Sequence, residues 1–300
     1  MISTGLLWIP FTIAAAFGQV IRNATQRHLT GPLGTLGATN VRFMFGFPFS
    51  LVFLAIVLVA TGDRLQWPVT EFWPWLLLGA LSQIAATGLM LAAMADRSFV
   101  VTTAYLKTEA IQTAIFGFVF LGDALNALKV VAIVIATVGV VVTALRPGDG
   151  AKDFAGLKPT LLGLIAAAFF ALSAVGFRGA IISVPDVSFV TKASMTLVAG
   201  LFVQTLVLSV YLVIRAPHVL MAILKLWRPS LLAGFTGALA SQFWFLAFAL
   251  TAAANVRTLA LVEVLFAQGI SYFSFKQTPS AREAIGIVLI VLGVGLLIAA

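Results

Sequence analysis

Residues 99–122 read FVVTTAYLKTEAIQTAIFGFVFLG, and residues 256–275 read VRTLALVEVLFAQGISYFSF. Each is an apolar run of membrane length with a glutamate near its centre, and the two glutamates, Glu109 and Glu263, lie 154 residues apart. A carboxylate at bilayer mid-depth costs roughly 2.5–3.5 kcal/mol on insertion scales, so it needs a partner or a task. A carboxylate at matching points of two halves points to a site built on internal symmetry.

The rest of the chain has the same character. Of 300 residues, 61% are hydrophobic and 9% charged, and the mean hydropathy is +1.11, a composition that excludes an ordinary soluble domain. A span needs about 20 apolar residues. Candidates fall near 4–22, 35–60, 72–94, 98–121, 125–144, 159–181, 188–213, 229–250, 256–275 and 283–299. The expected fold class is therefore an all-α integral membrane protein with ten transmembrane helices. Ala14-Ala15-Ala16 is similar to a cleavage site, but no basic segment precedes it, so the first span is read as a retained helix. The net charge of +8 comes from basic residues dispersed through short loops, which argues for lipid contact and against nucleic acid. With no Cys and two His, neither a disulfide nor a metal site is expected.

Sliding the chain by 154 residues aligns Gly46 with Gly200, Trp73 with Trp227, Glu109 with Glu263 and Gly139-Val140 with Gly293-Val294. The hydropathy pattern repeats as well. Residues 1–146 and 158–300 are read as five-helix repeats, joined by a connecting loop over 147–157 that starts Pro147-Gly148. Five is odd, so the second repeat enters the membrane inverted relative to the first. A local match at a slightly longer offset sets Ser82-Gln83 beside Ser241-Gln242. Arg22, Arg27, Arg97, Arg146, Lys152, Lys158, Arg215, Lys225, Arg228, Lys276 and Arg282 fall on one side of this topology, against Arg64, Lys129, Arg178, Lys192 and Arg257 on the other. The richer side is assigned to the cytoplasm, which puts both termini outside.

Polar residues inside the spans are the candidate site. Tyr105, Glu109 and Thr113 recur at helical spacing on one face, whereas Lys107 is roughly 200° round from Glu109 and cannot pair with it along the helix. Lys107 suits a substrate carboxylate, and Glu109 an amine, a proton or a neighbouring helix. Glu263 and Gln268 are read as having no cation nearby on the same helix, so Glu263 reads as a protonated carboxyl, either proton carrier or structural donor. Gln19, Gln83 and Gln242 offer amides that bind a zwitterion without the cost of a buried charge, and Trp244 offers a flat wall; the alternative is that Ser and Gln only hold helices together. Arg42 is expected to reach the cytoplasmic face as an interfacial anchor. There is no GxxxxGK[ST] loop and no HExxH, which removes an ATP-driven pump and a metalloprotease from consideration and leaves no enzyme chemistry in view.

Two five-span halves with a mid-span glutamate in the fourth and ninth spans resemble the drug/metabolite transporter superfamily. The turn Leu121-Gly122-Asp123 and the glycines at 286, 293 and 295 resemble its EamA branch in particular. Within it the chain is similar to YddG-type bacterial exporters of aromatic amino acids. The acidic turn is not repeated at Phe275-Lys276-Gln277. The resemblance implies a bacterial inner-membrane exporter of amino acids and related metabolites, with no cofactor, a midplane site and alternating access. Lys107 would take the carboxylate, Gln19, Gln83 and Gln242 would orient the substrate, and Tyr105 and Trp244 would wall it. Either glutamate would carry a coupling proton. An exchanger of organic phosphates or nucleotide sugars is the main rival and requires two or more cations in the cavity. A non-transporting membrane scaffold or sensor is the third reading.

Overall fold

A computed structural model describes residues 4–66, 68–96, 105–144, 157–266 and 280–300. Among them all regular structure is helical. After a 3-10 turn at Thr4–Leu6, helix α1 covers Trp8–Thr61 and consists of two arms, 8–33 and 35–61, about Gly34 (φ 66°, ψ 178°). The loop expected between the first two spans is thus mostly helix. In a straight helix residues 26 and 38 would be about 18 Å apart. Instead the Gln26 amide donates to the Ala38 carbonyl at 3.1 Å, so the chain reverses at Gly34, in a left-handed conformation that favours glycine. Gly62, also left-handed, ends the second arm with its N–H on the Leu58 carbonyl.

Helix α2 covers Phe72–Asp96 and α3 Glu109–Phe116, which continues into a π-helical turn, Gly117–Leu121, closed by left-handed Gly122. Then come α4 (Ala127–Ala144), α5 (Leu157–Ser183), α6 (Phe189–Arg215) and the short α7 (Pro217–Lys225), which occupies an expected loop. The chain continues with α8 (Trp227–Leu250), α9 (Ala253–Leu259), a 3-10 turn at Ala260–Val262 and α10 (Ala281–Ala299). Ser280 and Glu283 form a reciprocal capping box at the start of α10. Among the described residues, six stretches are long and apolar enough to cross a membrane: His28–Thr61, Phe72–Ala93, Leu161–Ser183, Phe189–Arg215, Trp227–Leu250 and Ala281–Ala299. Glu109–Leu121 and Ala127–Thr143 are shorter apolar helices. The chain is a multi-pass membrane protein. Residues 98–104, Gln268, the 275–277 turn and the 147–157 connection except Leu157 lie outside the described residues.

The chain forms two compact units, and each draws on both sides of the 147–157 connection. The first comprises Met1–Ile84 and Gly176–Thr251, the second Ala85–Val175 and Ala252–Ala300. In the first unit α1 packs on α6 and α8. Small residues permit this: a Cβ on Gly18 would touch Ala240, and one on Gly46 would lie 3.3 Å from the Gly234 carbonyl oxygen. Phe177 fills the space over Gly79 and Gly200, and its ring meets Phe245 at 4.7 Å. In the second unit α4 packs on α10 through Gly139, Gly286 and Gly293, at backbone-to-backbone range.

A polar clasp closes one end of the first unit. Asp63, just past the end of α1, accepts from the Ser188 hydroxyl (2.6 Å), the Thr191 hydroxyl (2.6 Å) and the Ser188 backbone N–H (3.0 Å). Ser188 is at the same time the N-cap of α6. These bonds, the Ser188 hydroxyl foremost, hold the Asp63 carboxyl below its ordinary value of 3.8. A depressed carboxylate pKa contributes stability that is present above the unfolded value and lost as pH falls through the folded one. The thermal-stability difference between the wild type and Asp63→Ala is therefore expected to be full at neutral pH and to vanish in acid. Melting curves across that range check it, and a difference that stays constant would show that the clasp does not depend on the charge.

Candidate substrate site

Both glutamate-bearing segments break where the glutamates stand. Tyr105 and Leu106 are helical, Lys107 and Thr108 form a turn, and α3 starts at Glu109. Thr108 supplies the cause: its N–H (3.1 Å) and its hydroxyl (2.7 Å) both donate to the Tyr105 carbonyl, replacing an α-helical bond with a tighter local one. In the other segment α9 tightens into the 3-10 turn Ala260–Val262, and helix resumes at Glu263 over 263–266. Each glutamate therefore begins a helical stretch, where the exposed N–H groups and the helix dipole favour a carboxylate. The interruptions fall at 107–108 and 260–262, the same 154-residue offset that relates the glutamates.

Two crossed ion pairs join the segments. The Lys107 ammonium is paired with Glu263 Oε1, and Arg257 Nε lies 3.0 Å from Glu109 Oε1. Lys107 and Glu109 point to different partners, as their angular separation requires. Glu263, which has no cation near it in the middle of its own span, is reached by a cation from the other segment. The four side chains are 10–18% exposed, dry enough for each charge to depend on its partner and open enough for exchange. Among the described residues the cluster holds two cations and two carboxylates, whose charges balance. Tyr105 stands beside it on the chain, its side chain packed against Gly163 of α5. All of this belongs to the second unit.

Gln19, Gln83, Gln242 and Trp244 belong to the first. Gln242 donates to the Ser194 hydroxyl oxygen at 2.9 Å, and Gln83 accepts from Gln204 at 2.8 Å. Ser194 and Gln204 are ten positions apart on α6, so the two amides attach at levels about 15 Å apart. The structure does not bring Gln83 and Gln242 to one point. Gln19 is half-buried on α1, and Trp244 is buried, stacked with Phe248 at 6.3 Å. Arg42 does not reach the surface: it is 3% exposed, with its guanidinium 5.1 Å from the Phe43 ring and its stem against Gly237. The hairpin at Gly34 explains this, because it folds the 35–61 arm back over Arg22 and α8.

Arg257, Ser194 and Gln204 are functional candidates that sequence reasoning passed over. Arg257, at the edge of a span, enters the sequence reading only through the count of cations on the two sides. The signal was partial: Arg257 lies in the segment of Glu263 and Glu109 needed a partner from another segment, but the sequence does not say which segments lie side by side.

Residues 5–145 match the EamA-like transporter family. No curated protein matches the sequence. A solved crystal structure of a protein superposes with a TM-score of 0.68 at 15% identity, over 99% of this chain and 98% of that chain. That likeness shows the fold alone.

Proposed function

We propose that the chain is a secondary transporter of the drug/metabolite superfamily that exports amino acids and related zwitterions across a bacterial inner membrane by alternating access. The observation that carries the reading is the crossed pairing of Lys107 with Glu263 and of Glu109 with Arg257 on two interrupted helices. Discontinuous helices at mid-depth are the usual place for substrate and coupling ions in such transporters. The EamA-like match over residues 5–145 supports the class.

Charge balance supports the substrate. An amino acid entering the Lys107–Glu263 pair brings a carboxylate for the lysine and an ammonium for the glutamate, and no charge is left uncompensated. Glu109 and Arg257 stay paired meanwhile, or exchange when a proton enters. An organic phosphate or nucleotide sugar brings two or more negative charges, and both cations of the cluster are already matched by carboxylates. The exchanger reading therefore ranks lower. Two inverted five-helix repeats, with both termini outside, supply the symmetry such a cycle needs.

Flux of labelled amino acids into proteoliposomes tests the proposal, with and without a pH gradient and with phosphorylated competitors. Amino-acid flux without any counter-substrate is the expected result, and the Lys107→Ala protein is expected to lose most of it. A requirement for internal phosphate compounds, or Lys107→Ala flux at the wild-type rate, would overturn the reading.

A further inference from the structure

A second group of buried charges stands in the first unit. Gln26 meets Ala38 across the α1 hairpin, and one turn further from Gly34 on each arm stand Arg22 and Arg42. They are 6% and 3% exposed. Both lean over Gly237 of α8: a Cβ there would lie 3.1 Å from Arg42 Cγ and 3.7 Å from Arg22 Cδ. Asn23 Oδ1 accepts from the Arg22 guanidinium at Nη2 (2.9 Å) and Nε (3.3 Å), and the Arg42 guanidinium lies by the Phe43 ring. Gly237 is near the middle of α8, about 15 Å from its first residue, so both side chains cross the Trp227–Leu250 span at mid-depth. Arginine cannot shed its proton there, as a lysine can. The carboxylates of this unit, Asp63, Glu71 and Asp186, all stand outside its helices. An ionisable side chain at mid-depth marks a site, and here two of one sign share a level.

We propose that Arg22 and Arg42 form a binding site for a doubly charged, soluble oxyanion of the phosphate class, held between the two arms of α1 and α8. Two guanidiniums over one glycine put a double positive charge in a dry place, where a low dielectric strengthens their pull on an anion. Guanidinium forks match the oxygens of phosphate and carboxylate alike, so charge decides between the two: a phosphate dianion matches both arginines, a monocarboxylate only one. Depth decides the source. A lipid phosphate stays in the headgroup region, about 15 Å from the bilayer centre, whereas a soluble anion can be taken up at the level of Gly237. The bound anion ties both arms of α1 to α8. The site uses none of the four charges of the second unit, so the amino-acid reading does not depend on it.

The test is thermal stabilisation of the purified full chain by inorganic phosphate at pH 8, with acetate as the singly charged probe and ionic strength held constant. Phosphate is expected to stabilise saturably, with half-saturation at a concentration about tenfold or more below that of acetate. Arg22→Gln and Arg42→Gln should each raise the phosphate half-saturation about tenfold or more, as the loss of a charged hydrogen bond does. Arg228→Gln, which removes an exposed cation of the same unit, should change nothing. No response to phosphate, or equal responses to phosphate and acetate, overturns the inference on the wild type alone, whether or not the variants fold. A phosphate response unchanged in either arginine variant overturns it as well. Stabilisation by phosphatidylglycerol vesicles over phosphatidylcholine ones, with none by inorganic phosphate, overturns it too, because the occupant is then a lipid. Amino-acid flux is measured separately, and none of these outcomes decides it.

Discussion

Glu263→Lys is expected to abolish flux and to destabilise the chain by about 3–5 kcal/mol, the cost of leaving a buried charge without its partner. The reason is local. Lys107 and Glu263 are each 15% exposed, and the substitution sets two cations side by side where water cannot screen them. Restoring opposite charges in reverse order, Lys107→Glu with Glu263→Lys, should recover most of the stability. It should not recover transport, because the carboxylate then stands in the turn at 107–108, and the cation at the start of a helix, where the dipole opposes it. Thermal melts of the wild type, Glu263→Lys, Lys107→Glu and the double exchange make a double-mutant cycle, and flux measured on the same samples separates folding from function. A double exchange as unstable as Glu263→Lys would mean that the pair does not act as a unit. A double exchange that transports normally would mean that it only holds the segments together.

The same argument says why such a pair is kept at all. A buried ion pair adds little net stability, because desolvating both charges offsets most of their attraction. Two of them in one unit, joining two interrupted helices, are poor devices for holding a bundle together. They are good devices for binding something that carries both charges and for releasing it when the helices shift.

Much of this was legible from the residues. Glu109 and Glu263 stand out because carboxylates are rare in apolar runs, and the 154-residue offset between them is also that of the two helix interruptions. The helical class followed from composition alone. The partners were not legible, because pairing depends on which segments lie side by side, and hydropathy carries no such information. Glu263 therefore reads as a lone carboxyl, and Arg257 only as one cation in the count of the two sides. The reversal at Gly34 was hidden for a related reason: residues 23–33 are polar enough to suggest a loop, yet Gln26 and Arg22 find partners as helix residues folded against the second arm and α8. The amides of Gln83 and Gln242 looked alike because Ser-Gln recurs, while the structure gives them different neighbours on α6.

Gly234→Ala is expected to cost about 1–3 kcal/mol or more and to lower the yield of folded protein in membranes. A Cβ there would lie 2.5 Å from the Phe45 carbonyl carbon and 2.8 Å from its oxygen. These are backbone atoms of the 35–61 arm of α1, so no side chain can swing aside, and the two helices must separate to make room. Separation is costly because lipid supplies no hydrophobic drive to hold helices together, so the close van der Waals contact that would be lost is what holds them. Gly295→Ala is the control. It changes the same group in another apolar helix, α10, but no atom lies within 4 Å of the added carbon. There the exchange should be neutral or should stabilise by up to about 1 kcal/mol, through the helix preference for alanine alone. Thermal melts of the two variants beside the wild type check the contrast. Equal stability of both would mean that α1 and α8 do not approach each other at Gly234, and that a different contact fixes the hairpin on which Gln19, Arg22 and Arg42 are carried.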